Sequence, residues 1–304
     1  MKLFWIISSL IMLAACSENA PQPSQSNSAQ GPQPGDQVQE TVSAPVPSLE
    51  LVLAAQPDKV RSRYAHRNPQ QTLEFFGLEP GMTVVEALPG GGWYSKILLS
   101  ALGPDGHLTG VNYAQELWPN FGFANEEFLN SIKTWTTDWP QQANEWRDEN
   151  SASVSAFEFG SLDESQRGSA DMVLLIRALH NMARFEGGFL DQAIADSYNI
   201  LKPGGVVGIV QHQARESMPD SWANGANGYL KKSDIVARME AQGFDFVAES
   251  PINQNALDLP TENDIVWRLP PSLRTSQDNP ELKAAMQAIG ESHRMTLKFV
   301  KPVT

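Results

Sequence analysis

A doubly wound α/β domain, with a seven-stranded, mostly parallel sheet containing one antiparallel strand, is the fold the sequence predicts. Three observations predict it. The run Gly-Met-Thr-Val-Val-Glu-Ala-Leu-Pro-Gly-Gly-Gly-Trp-Tyr-Ser at 81–95 reads as a buried strand that breaks into a glycine turn and opens a helix. Downstream, strand-like and helix-like segments alternate, the pattern that builds a parallel sheet with crossover helices. Lys-Pro-Gly-Gly at 202–205 then stops a helical pattern just before another apolar, β-branched run.

Element by element, residues 82–87 are short, apolar and β-branched, as suits a strand covered on both faces. Gly90, Gly91 and Gly92 permit positive φ and present no Cβ, so a ligand can approach the backbone before a helix over 93–102 begins. That helix start offers unpaired N–H groups to an anion. Glu86, at the strand's end, is placed to accept hydrogen bonds from a cationic amine or from hydroxyls. A Gly-Pro-Asp-Gly turn at 103–106 leads to a second strand at 107–112, and further strands are expected at 153–159, 171–176 and 206–211. Helices are expected over 189–201 and over 233–242, the latter capped by Ser233 and stopped by Gly243. Residues 244–249 and 295–300 supply the last two strands.

Glu-Ala-Leu-Pro-Gly-Gly-Gly at 86–92, Ala-Asp-Met-Val-Leu-Leu at 170–175 and Leu-Lys-Pro-Gly-Gly at 201–205 resemble the Rossmann-like class I S-adenosylmethionine-dependent methyltransferases. More closely, Arg-Asn-Pro at 67–69, Leu-Glu-Phe-Phe-Gly-Leu at 73–78, Pro-Gly-Gly-Gly-Trp-Tyr at 89–94 and Arg-Ala-Leu-His-Asn-Met at 177–182 resemble a branch of predicted methyltransferases, many with an export signal. The resemblance spans 58–302. It implies S-adenosylmethionine as cofactor, held by Glu86, Gly90, Gly91, Gly92 and Asn112, with either Ser161 or Asp163 near the adenine. Two positions depart from the class: Leu88 stands where the turn usually has its first glycine, and Asn112 stands where an acidic residue usually meets the ribose.

His180 is the candidate catalytic residue. It lies just beyond the 171–176 strand, and doubly wound sheets bind their ligands at the carboxyl ends of their strands. Methyl transfer is a direct displacement, so alignment supplies much of the catalysis, and a base of near-neutral pKa is needed only for a protonated acceptor. A structural hydrogen bond is the alternative role for this histidine. Tyr94, Arg177, Asn181 and His212 are the expected substrate contacts, His212 because it ends the fifth strand. The segment 64–69 is placed either over the cofactor mouth or, through Tyr64, in packing. No metal is expected: the five histidines show no His-x-x-x-His spacing, and the one cysteine excludes a Cys-ligated centre.

That cysteine is Cys16. Lys2, the apolar stretch 3–15 and Leu-Ala-Ala-Cys at 13–16 resemble a bacterial lipoprotein signal, with 1–16 the signal segment and Cys16 the lipidated residue. Residues 17–48, rich in Pro, Gln, Ser and Asn, read as a tether, and 49–304 as the folded domain. Ser17 after Cys16 resembles the pattern sorted to the outer membrane, so the expected location is exported and lipid-anchored, facing the periplasm. With 22 Lys and Arg against 35 Asp and Glu, the net charge of −13 argues against nucleic acid as partner.

Residues 113–151 form an unusually long connection carrying Trp118, Phe121, Phe123, Phe128, Trp135, Trp139 and Trp146, with a helix expected over 125–135 capped by Asn125. It either covers the ligand side of the sheet or packs a satellite core. Three readings of function stand at this level. The first is methyl transfer to a small-molecule acceptor; the second is a non-catalytic envelope lipoprotein that keeps the fold as a binding module. The third, a nicotinamide-dependent oxidoreductase, is the weakest, because Gly-x-Gly-x-x-Gly is absent from the first turn.

Overall fold

The computed structural model describes residues 46–303. The signal segment 1–16 with Cys16, and all of the tether before residue 46, lie outside the described residues. Ser48 is already part of the fold, its Oγ accepting from the Leu51 amide at 3.4 Å to cap the first helix.

Four short helices lead in, α1 (Leu49–Ala54), α2 (Asp58–Arg61), α3 (Tyr64–Arg67) and α4 (Pro69–Phe76). The alternating part follows as β1 (Thr83–Ala87), α5 (Ser95–Leu102), β2 (His107–Asn112), α6 (Glu126–Ser131), α7 (Trp135–Asn144), β3 (Ser153–Glu158) and β4 (Ala170–Ile176). Then come α8 (Leu179–Arg184), α9 (Phe189–Ile200), β5 (Leu201–Ala214), the two-residue β6 (Leu230–Lys231), α10 (Lys232–Gln242), β7 (Asp245–Glu249), α11 (Pro280–Ile289) and β8 (Arg294–Val300).

The strands lie in the order β3-β2-β1-β4-β5-β8-β7, with β6 paired to the end of β5 off this path. Pairings from β3 across to β5 are parallel, and β8 runs antiparallel to both of its neighbours. This is the doubly wound, mostly parallel sheet with one antiparallel strand. The chain winds outward from β1 through β2 to β3 and then crosses back to β4 on the other side of β1, so the switch point opens at the carboxyl ends of β1 and β4. Alternate strand residues feed two apolar layers: Val85, Val173 and Ile209 on one face, Val84, Met172 and Val210 on the other.

Four local expectations are corrected. Lys-Pro-Gly-Gly at 202–205 does not separate elements: Leu201 already pairs with Ala170, and the register jumps to Val206 opposite Met172, so these residues bulge within β5. Ser233 does not cap α10, because the chain stays extended through β6 and Lys231 takes the cap position; the Ser233 hydroxyl bonds Glu216 instead. The first crossover helix starts at Ser95, two residues later than the sequence suggests, after a turn in which the Lys96 amide already donates to the Gly92 carbonyl. The 125–135 segment is broken: Asn125 caps α6 as expected, a 3-10 turn at Ile132–Thr134 follows, and α7 begins at Trp135.

The long connection divides its aromatic residues between both expected roles. Trp135, Trp139 and Trp146 belong to the layer under the sheet, with Trp139 packed so tightly on β2 that a Cβ at Gly110 would lie 2.7 Å from its ring. Trp118, Phe121, Phe123 and Phe128 instead gather around Tyr113, at the carboxyl end of β2. This first half reaches the ligand edge beside β2, while from the second half Trp146 touches the glycine turn at Gly92.

Candidate active site

β1 delivers Glu86 into the interior, where the residue is 5% exposed and its Oε2 accepts from Ser95 Oγ at 2.6 Å. Desolvation pushes this carboxyl up to about 7, only partly opposed by the serine. The chain then leaves the sheet with Leu88 in the left-handed region at φ +54°, followed by Gly90 at +54° and Gly92 at +75°. The turn has two unlike sides. At Gly92 an added Cβ would meet the Trp146 ring at 2.2 Å, whereas at Gly91 it would meet nothing within 4 Å. One side is therefore closed by the Trp146 ring and the other is open. Asn112, buried at the end of β2, accepts from the Tyr113 amide through Oδ1 at 2.9 Å and has no partner for Nδ2 among the described residues.

β4 ends by delivering Arg177, also left-handed at φ +56°, whose amide donates to the Val210 carbonyl at 2.6 Å. In α8, His180 is buried and its Nδ1 makes a long 3.5 Å contact with Gln211 Nε2, while Asn181 Nδ2 donates to the Tyr113 hydroxyl at 3.1 Å. His212, near the end of β5, shares a 2.5 Å hydrogen bond between Nδ1 and Ser292 Oγ, with its ring 5.5 Å from that of His180. Burial drives His180 down to about 4, and it drives His212 well below its ordinary value, with His180 and the nearby guanidiniums adding to the effect. The near-neutral base expected at position 180 is thus not what the structure provides: both rings are neutral at physiological pH.

These groups line a cavity of about 330 Å³ at the switch point, bounded by Leu88, Arg177, His180, Asn181, His212 and Trp267. A second cavity of about 930 Å³ lies outside it, walled by Phe121, Phe123, Arg184 and Arg274, and shares Asn181 and Trp267 with the first. The segment after β7 therefore supplies a wall, through Trp267 and the stretch that follows it, on its way to α11.

The expected substrate residues Arg177, Asn181 and His212 thus converge with His180 on one cavity. Tyr94 lies behind them, buried, its hydroxyl pushed up to about 12 by desolvation against the pull of Arg294, Arg177 and Arg67. Glu86 and the three glycines sit beside the cavity, joined to it through Leu88, and Asn112 ends the adjacent strand. Asp163 stays apart: it is exposed and caps a 3-10 turn, accepting from the Ser165 amide and hydroxyl at 2.8 and 2.6 Å, which holds its carboxyl below the usual value. Ser161, the other adenine-side candidate, turns its hydroxyl back to the Glu158 carbonyl at 2.7 Å. Tyr64 takes the packing role, donating to the Leu53 carbonyl at 3.1 Å and meeting Trp93 edge-on.

Sequence reasoning missed Glu291 and Arg294, which reach the site from the start of the last strand, and Trp267. Glu291 accepts from Arg63 and Arg67 through Oε1 and from Arg294 through Oε2. No local pattern marks an ion cluster whose two halves, Arg63 with Arg67 and Glu291 with Arg294, lie more than 220 residues apart.

No family model and no curated protein matches the chain. Among solved structures, it is similar to the [4+2]-cyclase SpnF at 16% identity, covering 79% of this chain and 82% of that one, with a TM-score of 0.48. It is similar to a SAM-dependent methyltransferase from Aquifex aeolicus at 14% identity, covering 81% and 98%, with a TM-score of 0.45. It is also similar to the Burkholderia thailandensis 1,6-didemethyltoxoflavin-N1-methyltransferase with bound 1,6-didemethyltoxoflavin and S-adenosylhomocysteine, at 13% identity, covering 86% and 93%, with a TM-score of 0.42. The fold itself rests on the strand order β3-β2-β1-β4-β5-β8-β7.

Proposed function

We propose that this chain is an S-adenosylmethionine-dependent methyltransferase acting on a small-molecule acceptor. One observation carries the reading: an open glycine turn follows a strand with a buried carboxylate that has no cationic partner among the described residues, directly beside a polar cavity at the switch point of the sheet. The residues suit the cofactor. Glu86 has a hydroxyl as its one partner among the described residues, so an ammonium group would complete it. Gly90 and Gly91 leave space for a close approach, and the free Nδ2 of Asn112 suits a ribose hydroxyl. Bound there, the cofactor would supply an electrophilic methyl group on a sulfonium.

The chain's own part is positioning. Arg177 and Asn181 orient the acceptor, and neutral His180 offers it a hydrogen bond without adding a charge. Phe121, Phe123 and Trp267 wall the approach and limit water. We place this domain at a bacterial envelope on a lipid anchor at Cys16, on the strength of the Leu-Ala-Ala-Cys motif at 13–16. Loss of labelled palmitate incorporation in Cys16→Ala tests that placement.

The test of the activity is calorimetric titration of the full chain with S-adenosylmethionine and S-adenosylhomocysteine, with NAD as control. Binding near 1 μM, about −8 kcal/mol, is expected. Gly91→Val should abolish it without lowering the melting temperature, because the backbone there is unstrained and a Cβ has room. A folded wild-type protein that binds neither compound would refute the proposal.

A further inference from the structure

Three guanidiniums, those of Arg63, Arg67 and Arg294, hold one carboxylate, Glu291, which lines the inner cavity together with a fourth arginine, Arg177. Glu291 is 4% exposed and already occupied: Arg63 and Arg67 share Oε1, and Arg294 takes Oε2 at 3.2 Å. Arg177 is left over. Its guanidinium faces the cavity, is repelled by Arg294 and has no hydrogen-bond partner among the described residues. A cation excess is unexpected in a chain of net charge −13, and a half-buried guanidinium without a counter-charge leaves hydrogen-bonding capacity for a ligand. The backbone of Arg177 is also held at φ +56°, a strained conformation of the kind that gathers at ligand sites.

The outer cavity repeats the sign. Its charged lining residues are Arg184 and Arg274, set among Phe121, Phe123 and Trp267, with no acidic side chain among them. A cationic acceptor would meet repulsion in both cavities and again from a sulfonium.

We propose that the methyl acceptor is a carboxylate-bearing small molecule with a planar apolar body, its carboxylate paired with Arg177 in the inner cavity and its body lying against Phe121, Phe123 and Trp267 in the outer one. The planar fork of arginine matches a carboxylate through two parallel hydrogen bonds, which a lysine cannot reproduce. Asn181, common to both cavities, then flanks the bond between acid and body. The word acceptor rests on the methyltransferase reading; the anion site does not.

The experiment compares 2-naphthoate, 2-naphthamide and 2-naphthylmethylamine as ligands of the full chain, by quenching of tryptophan fluorescence, with S-adenosylhomocysteine titrated separately by calorimetry. Naphthoate is expected to bind at least about tenfold more tightly than the amide, with the amine weakest. Arg177→Gln should erase the preference, and Arg177→Lys should restore it only in part, while S-adenosylhomocysteine binding stays within about twofold of wild type. Equal binding of the three ligands to wild-type protein overturns the proposal without any variant. Loss of S-adenosylhomocysteine binding in Arg177→Gln also overturns it, since the guanidinium would then serve the cofactor's carboxylate. If naphthoate binds selectively and S-adenosylhomocysteine does not bind at all, the anion site stands and the methyltransferase reading falls.

Discussion

The Glu86 carboxylate accepts a 2.6 Å hydrogen bond from Ser95 Oγ and has no cationic partner among the described residues. A carboxylate so placed burdens the fold whenever it ionises. Its folded pKa, about 7, lies above the unfolded value of 4.5, so the folded state holds the extra proton and stability falls as pH rises through that window. Glu86→Gln keeps the shape and removes the ionisation. Relative to wild type, the variant should gain roughly 2 to 3 kcal/mol between pH 5 and pH 8 in urea unfolding. A gap that does not change with pH would show that Glu86 is not buried as described.

Leu88 carries the turn at a backbone angle that normally calls for glycine, φ +54°. Comparing Leu88→Gly with Leu88→Ala isolates that strain, because both truncate the same side chain. In ordinary strand or helix backbone alanine is the more stable of the two; here glycine should win by about 1 kcal/mol. The reverse order in thermal or urea unfolding would place Leu88 at negative φ.

That same residue shows what the sequence could and could not convey. Strands and crossover helices were legible because buried parallel strands read as apolar runs and glycine marks their turns, so β1, β2 and β4 fall where the pattern puts them, while β5 begins before the glycines expected to precede it. Leu88 was recognisable as a departure from the family motif, but the conformation it must adopt is imposed by the turn and is not written in its own propensity. Ser233 failed as a cap because pairing of Leu230 and Lys231 with β5 kept the chain extended past the point where local preference would begin a helix. Arg177, His180, Asn181 and His212 were legible from their place after strands, whereas their electrostatics were not. The low pKa of His180 follows from burial, and burial depends on the 222–229 loop and Trp267, which arrive from distant parts of the chain.

His180 and His212 both stay neutral in the folded protein, and each gains protons on unfolding once the pH drops. For His180 the folded value of about 4 lies below the unfolded 6.5, so its contribution is intact above that upper value and is lost as pH falls toward the lower one. His180→Gln removes this dependence. Wild type should lose ~2 kcal/mol relative to the variant between pH 7.5 and pH 5. In the same range, proton-coupled nitrogen NMR of wild type should show the neutral ring of His180 down to pH 5. A midpoint near 6.5 would restore the histidine to the role of a neutral-pH base.

Gly225 sets the position of that histidine from behind. Its φ is +94°, and an added Cβ would lie 2.1 Å from the His180 carbonyl oxygen, a backbone atom that cannot turn aside. The loop is further held by the Trp222 ring stacked on Tyr229 at 5.2 Å and by the Gly225 amide, which donates to the Tyr229 carbonyl at 3.1 Å. Gly225→Ala must therefore push the loop off α8 or shift α8 itself, at a cost above about 2 kcal/mol. Gly122→Ala serves as the control, because a Cβ there meets nothing within 4 Å and φ is not positive; its change should stay within about 0.5 kcal/mol. The His180 ring resonances should move in the first variant and stay in place in the second. Two variants of equal stability would mean that the loop does not press on α8, and the inner cavity would then lose the support that fixes His180 and Asn181 at its wall.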